Sequence, residues 1–166
     1  MGWQGETLWM LKLRTRWDGD RVPGSGWIER IDDAGPALKT PRDPRVGSRF
    51  AQFCRRHSID ELPQLWHVVR GEMSLVGPRP HAARMKTGEI ESSRLIAEYA
   101  WRCRIKPGMT GWAAIRGSRG PLDCPTEVRR RVALDIEYIE RQSLWLDLWI
   151  LLMTVPCLLG DRRAVR

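Results

Sequence analysis

The 166-residue sequence is poor in cysteine, in lysine and in long apolar runs. Its four cysteines, Cys54, Cys103, Cys124 and Cys157, lie far apart and form no C-x-x-C pair, so neither a zinc motif nor a redox motif is written in it. No secretory leader is visible either, and reduced thiols in a cytosolic setting are the expectation. No stretch reaches the roughly 20 apolar residues that a bilayer-spanning helix needs. Repeats and low-complexity segments are absent. Only Lys12, Lys39, Lys86 and Lys106 of the 28 basic residues are lysine; the other 24 are arginine, the side chain suited to bidentate phosphate contacts.

What is present is enough chain for one domain with a modest core. The formal net charge of +8 points to an anionic partner, whether nucleic acid, membrane surface or phosphorylated small molecule. Genomic composition bias accounts for the charge equally well. No nucleic-acid-binding motif or stacking platform is found, so no nucleic-acid partner is expected.

The sequence is organised around Arg55 to Pro80. Leu62, Leu65, Trp66 and Val69 stand at i, i+3, i+4 and i+7, one apolar helical face, and Gly71 follows as a stop. Pro63 falls in the first turn, where its missing amide costs nothing. Asp60 and Glu61 therefore sit at a helix N-terminus. Ser58 to Glu61 matches the S-x-x-E capping box, which explains the acids as caps. The alternative starts from the same place: the helix dipole and flanking Arg55 and Arg56 favour an ionised carboxylate. Such an aspartate can be a nucleophile, and its neighbour can hold a metal. Arg79, in Gly77-Pro78-Arg79-Pro80, adds a guanidinium shaped for phosphate.

The run S-I-D-E-L-P-Q-L-W-H-V-V-R-G-E-M-S-L-V-G-P-R-P resembles the signature of the bacterial sugar transferases, the monotopic phosphoglycosyl transferases. The resemblance extends to K-L-R-T near the start, K-P-G-M-T-G-W-A in the middle and the L-D-I-E-Y-I-E and S-L-W-L-D-L-W-I-L-L-M-T-V segments. It implies an enzyme that exchanges a sugar 1-phosphate between a UDP-sugar and a polyprenyl phosphate, initiating a polysaccharide or glycoconjugate. Asp60 would be the nucleophile and Glu61 its catalytic partner, the two acids holding Mg²⁺. Arg79 and Arg55, and more weakly Lys12 and Arg14, would bind substrate phosphates. The implied setting is the cytoplasmic face of the bacterial inner membrane, peripheral or monotopic, with the inner-leaflet surface and glycan-assembly proteins as partners. A catalytically inactive scaffold module is the rival reading. The sequence departs from the family pattern at His67, Ala114 and Arg116, which bears on nucleotide or sugar preference more than on the reaction. The family's minimal form opens with a hydrophobic membrane helix, and the sequence starts inside the turn that follows it. The expectation is thus an N-terminally truncated catalytic domain over residues 1–166, with weaker membrane binding than full-length relatives.

The remaining elements follow from pattern. Thr7 to Arg14 reads as a strand with Leu11 and Leu13 on one face and Lys12 and Arg14 on the other. Trp17 to Pro44 reads as loop. Ser48 is a candidate cap for a helix that turns Phe50, Phe53 and Cys54 inward. His81 to about Trp101 reads as a helix weakened at Gly88, with Ile90, Leu95, Ile96 and Tyr99 packing. Thr110 to Ile115 reads as a short strand, and Pro125 to Gln142 as a helix with Val128, Val132, Ile136 and Ile139 inward and Arg129 to Arg131 solvated. Ser143 to Leu159 is the most apolar segment. Its Trp145 and Trp149, with flanking arginines, suit an interfacial helix; a buried core helix is the alternative. The fold class is α+β, helix-dominated, with a few short strands and amphipathic membrane-surface helices.

Overall fold

A computed structural model describes residues 2–15, 28–30, 48–81, 86–87, 90–91, 96–118 and 124–158. A 3₁₀ turn, Trp3–Gly5, precedes β1, Leu11–Leu13, which pairs antiparallel with β2, Ile28–Arg30. Helix α1, Arg49–Arg56, begins where the Ser48 hydroxyl accepts the Ala51 amide at 3.0 Å, the expected cap. A 3₁₀ helix, Ile59–Gln64, runs into α2, Leu65–Val69, which stops at Gly71 with φ +73°. Strand β3, Ser74–Val76, follows. Strands β4, Lys86–Thr87, and β5, Ile90–Glu91, form a short antiparallel pair. A second long 3₁₀ helix, Ala97–Arg104, leads to β6, Gly108–Thr110, and α3, Trp112–Ile115. Helices α4, Pro125–Arg141, and α5, Leu144–Leu158, complete the order. The helix-dominated α+β class is borne out.

The core is built from two clusters of buried side chains. Val76 of β3, Trp112 of α3, Tyr138 of α4 and Ile150 of α5 form one cluster, and Tyr99, Val128 and Val132 form a second. The Tyr138 hydroxyl donates to Asp147 Oδ1 at 2.6 Å and so ties α4 to α5.

Strands β3 and β6 pair in parallel, and glycine permits the closeness of the crossing beyond them. A Cβ on Gly108 would stand 2.1 Å from the Gly77 nitrogen, and one on Gly111 would stand 2.2 Å from the Gly77 oxygen. The V-G-P-R-P and K-P-G-M-T-G segments thus lie backbone against backbone, joined by Gly108 N–H to Pro78 O and Gly77 N–H to Thr110 O, each 2.9 Å.

Several expectations change. Within the stretch read as loop, Ile28–Arg30 is a strand; the rest of that stretch lies outside the described residues, as does Leu95. In place of a helix from His81 to Trp101 there are β4, β5 and then a 3₁₀ helix, consistent with the poor helix propensity of Gly88. Trp112 to Ile115 is helical, not extended. Phe50 and Phe53 are exposed while Ala51 and Cys54 turn inward, so the small residues of α1 pack and its aromatic ones do not. Leu62, Leu65, Trp66 and Val69 are also exposed. Arg131 is buried, not solvated. On α5, Ile150 is fully buried, whereas Leu144, Trp145, Leu148, Trp149, Leu152 and Val155 are exposed.

Candidate active site

The acid pair lies in the first turn of the 3₁₀ helix, where sequence spacing puts it. The capping box does not form. Ser58 has φ +55° and its side chain caps nothing, while the Glu61 carboxylate takes stronger partners. Lys12 Nζ donates to Glu61 Oε1 at 2.9 Å, and Arg79 Nη2 donates to the same oxygen. Lys12 therefore points from β1 into the site and not to solvent. Burial alone would raise the Glu61 carboxyl, but Arg79 and Lys12 outweigh it and hold the group well below the ordinary range.

Asp60 is buried beside this cluster. Burial pushes its carboxyl up; Lys12 pulls it down, Glu61 pushes up again, and Arg55 pulls down. The net direction is upward, so flanking arginines do not dominate here as the sequence alone suggests.

Of the four cations expected to bind phosphate, Lys12 and Arg79 converge on Glu61, and Arg55 acts on Asp60 while reaching Thr15 Oγ1 at 3.4 Å. Arg14 follows β1 and is half-buried; it is not among the main charges acting on either acid. Among the described residues no group of three or more His, Cys, Asp or Glu forms a cation cage. The donor set is thus two adjacent carboxylates, which fits Mg²⁺ only in the manner usual for it, one or two carboxylates completed by substrate phosphates and water.

Behind the site stands a buried polar group that sequence reading missed. Arg102 Nε donates to Asp135 Oδ2 at 2.6 Å, and its Nη2 donates to the Arg79 carbonyl at 2.8 Å. Its Nη1 lies 2.8 Å from His81 Nδ1, which is also 2.6 Å from the Tyr99 hydroxyl. Arg131 donates to Ser118 Oγ at 3.1 Å. Burial, then Arg79, lowers Arg131 to about 10. A signal was available: Val128, Arg131, Val132, Asp135 and Tyr138 share one helical stripe, which puts two charges on the core face of α4.

Two of the three departures from the family pattern, His67 and Arg116, have local explanations. His67 Nε2 accepts the Leu11 amide at 3.2 Å and its Nδ1–H donates to Glu72 Oε2 at 2.5 Å, so it stitches β1, and with it Lys12, to α2. Arg116 lies over the Trp112 ring at 4.2 Å. Nothing in the structure explains Ala114.

Comparison with known proteins places the sequence that builds this site. The chain belongs to the bacterial sugar transferase family, whose model matches residues 1–161. It is 49% identical over 135 residues to undecaprenyl-phosphate glucose phosphotransferase of Komagataeibacter xylinus, covering 81% of this chain and 25% of that protein. It is 46% identical over 163 residues to UDP-glucose:undecaprenyl-phosphate glucose-1-phosphate transferase of Caulobacter vibrioides, covering 98% of this chain and 55% of that one. Exopolysaccharide production protein ExoY of Sinorhizobium fredii is 37% identical over 171 residues, covering 98% and 68%. The chain thus spans about a quarter to a half of the length of the first two.

Proposed function

We propose that this chain transfers a sugar 1-phosphate from a UDP-sugar to a polyprenyl phosphate through a covalent intermediate on Asp60. The observation that carries the reading is a buried Asp60 next to a Glu61 that is already bonded to Lys12 and Arg79. An Asp60 carboxylate oxygen attacks the β-phosphorus of the donor. An Asp–O–P bond forms, the bond between that phosphorus and the bridging oxygen breaks, and UMP leaves. An oxygen of the polyprenyl phosphate then attacks the same phosphorus, and the Asp60 carboxylate is released. Both steps bring anions together, so Arg79, Lys12 and Arg55 would share their charge with the incoming phosphates. Mg²⁺, held by Glu61 with Asp60, would supply further neutralisation of phosphate charge when bound. The names of the relatives, which include UDP-glucose and undecaprenyl phosphate, support these substrates.

The reaction's lipid acceptor agrees with the surface. Among the described residues no helix is long and apolar enough to cross a membrane. The 15 residues of α5 span only about 22 Å. Yet α5 exposes Trp145 and Trp149 among leucines, and α1 exposes Phe50 and Phe53. His57 Nδ1–H donates to the Leu158 carbonyl at 2.7 Å, which brings the C-terminal ends of the two helices together. Apolar side chains with tryptophan on a helix of this length suit an interfacial position on a bilayer.

Intact-protein mass spectrometry after incubation with Mg²⁺ and UDP-sugars in detergent tests the reading. A sugar-phosphate adduct is expected on the wild type and not on Asp60→Asn, which keeps the shape of the side chain. An unmodified wild type that is folded, or an adduct that survives Asp60→Asn, would sink it.

A further inference from the structure

Arg102 addresses three acceptors with one planar fork. Nε meets Asp135 on α4, Nη2 meets the Arg79 carbonyl, and Nη1 meets His81 Nδ1, at 2.6, 2.8 and 2.8 Å. Two of the three are the ends of a tripeptide, Arg79-Pro80-His81, whose first member carries the guanidinium bonded to Glu61. The guanidinium also lies 5.3 Å from the Tyr99 ring centroid, and Arg102, Asp135 and His81 are all buried. Arginine only donates, so His81 Nδ1 accepts, and the ring is neutral with its proton on Nε2. Burial first, then Arg102, lowers the His81 pKa well below the usual range, in keeping with that state.

We infer that Arg102, anchored by Asp135, is a positioning residue that fixes where Arg79 stands over the acid pair, reading both the Arg79 carbonyl and His81. It rests on the proposed transfer reaction, in which Arg79 holds phosphate. A proline between the two anchor points removes one backbone freedom, so clamping both ends leaves Arg79 little room to shift. A displacement near 1 Å at a positioning group is enough to slow a reaction about 100-fold. Lysine at 102 would keep the charge and the pairing with Asp135 but not the fork.

The experiment follows the rate of sugar-phosphate adduct formation across UDP-sugar concentrations on the whole chain in detergent, normalised to folded protein by near-UV circular dichroism. Arg102→Lys is expected to lower the rate 10- to 100-fold. It should also raise the UDP-sugar concentration needed for half-maximal rate, because Arg79 no longer stands where it holds the donor phosphate. His81→Leu should slow the reaction similarly, and His81→Asn, which returns an acceptor at the place of Nδ1, should recover most of the loss. Because loss of one buried charge can unfold the chain, Arg102→Met/Asp135→Leu is measured too. Removal of both partners is better tolerated than removal of one, so this variant is expected to fold and remain slow. Folded variants with the wild-type rate and half-maximal concentration would overturn the positioning role, as would equal rates for His81→Leu and His81→Asn. A wild type that forms no adduct overturns the proposed reaction and this inference together; a normal wild type with normal variants overturns this inference alone.

Discussion

Gly108→Ala tests the crossing that places Arg79. The added Cβ would stand 2.1 Å from the Gly77 nitrogen, 2.6 Å from its Cα and 2.6 Å from the Thr110 carbonyl oxygen. Carbon contacts are comfortable at about 3.5–4.0 Å. All three neighbours are backbone, so no side chain can swing aside, and the two segments must part by about 1 Å or more. That separation strains the bonds from Gly108 to Pro78 and from Gly77 to Thr110, both 2.9 Å. Overpacking costs about 1–3 kcal/mol, and two weakened hydrogen bonds add about 0.5–1.5 kcal/mol each. The expected loss is about 2–6 kcal/mol, which for a chain of this size lowers Tm by about 4–24 °C. Thermal and urea unfolding followed by circular dichroism give the stability, and adduct formation gives the consequence at Arg79, two residues beyond Gly77. Gly71→Asn is the control: its φ of +73° suits asparagine tolerably, and the nearest atom to a Cβ is the end of the long Lys106 side chain, Nζ, at 3.6 Å. A Gly108→Ala protein within 1 °C of wild type and fully active would refute the reasoning.

Three further outcomes follow from other parts of the molecule. The depressed Glu61 carboxyl contributes stability that is fully present above its ordinary 4.5 and is lost as pH falls toward its folded value well below that. Glu61→Gln should therefore cost about 1–2 kcal/mol at pH 7, a figure reduced because the Arg79 side chain is 38% exposed. The gap to wild type should narrow, without closing, in urea titrations taken from pH 7 down to pH 3, and a pH-independent gap would contradict the assignment. Tyr138→Phe removes the 2.6 Å bond to Asp147 and should cost about 1–2 kcal/mol by the same assay, with no change meaning that α4 and α5 are held by apolar packing alone. Trp145→Ser/Trp149→Ser should weaken co-sedimentation with anionic vesicles at least tenfold while leaving Tm within a degree or two, since both side chains are exposed. Undiminished sedimentation would remove α5 from the membrane reading.

The sequence reading succeeded where the signal is local. Ser48 caps α1, Pro125 opens α4, Gly71 ends α2 and the acid pair falls at a helix start, each set by a few neighbouring residues. It failed where a distant partner decides. Glu61 abandoned its capping box for two cations that arrive from β1 and from the loop after β3. The glycine crossing joins positions about thirty residues apart and leaves no short-range trace. Helix α1 is legible only in part: Cys54 is buried as its position suggests, while Phe50 and Phe53 face outward, because apolar periodicity marks a face without saying how far the core reaches across it. Arg131 was placed in solvent because three arginines in a row read as a surface, although its helical stripe is the buried one.

The order in which the site is completed follows from the parallel pairing of β3 with β6. By the time residue 80 is synthesised, the chain holds Lys12, the acid pair and Arg79, the groups that the proposed reaction calls on. None of them is yet in place. The ladder that seats the loop waits for Gly108–Thr110, the fork on the Arg79 carbonyl waits for Arg102, and its anchor waits for Asp135. On the proposed reaction, the site is not assembled until α4 has left the ribosome, and long-range parallel pairing is slow to close. Translation paused before that point would leave a full set of reactive residues without a site, its exposed aromatic side chains already available to a lipid surface.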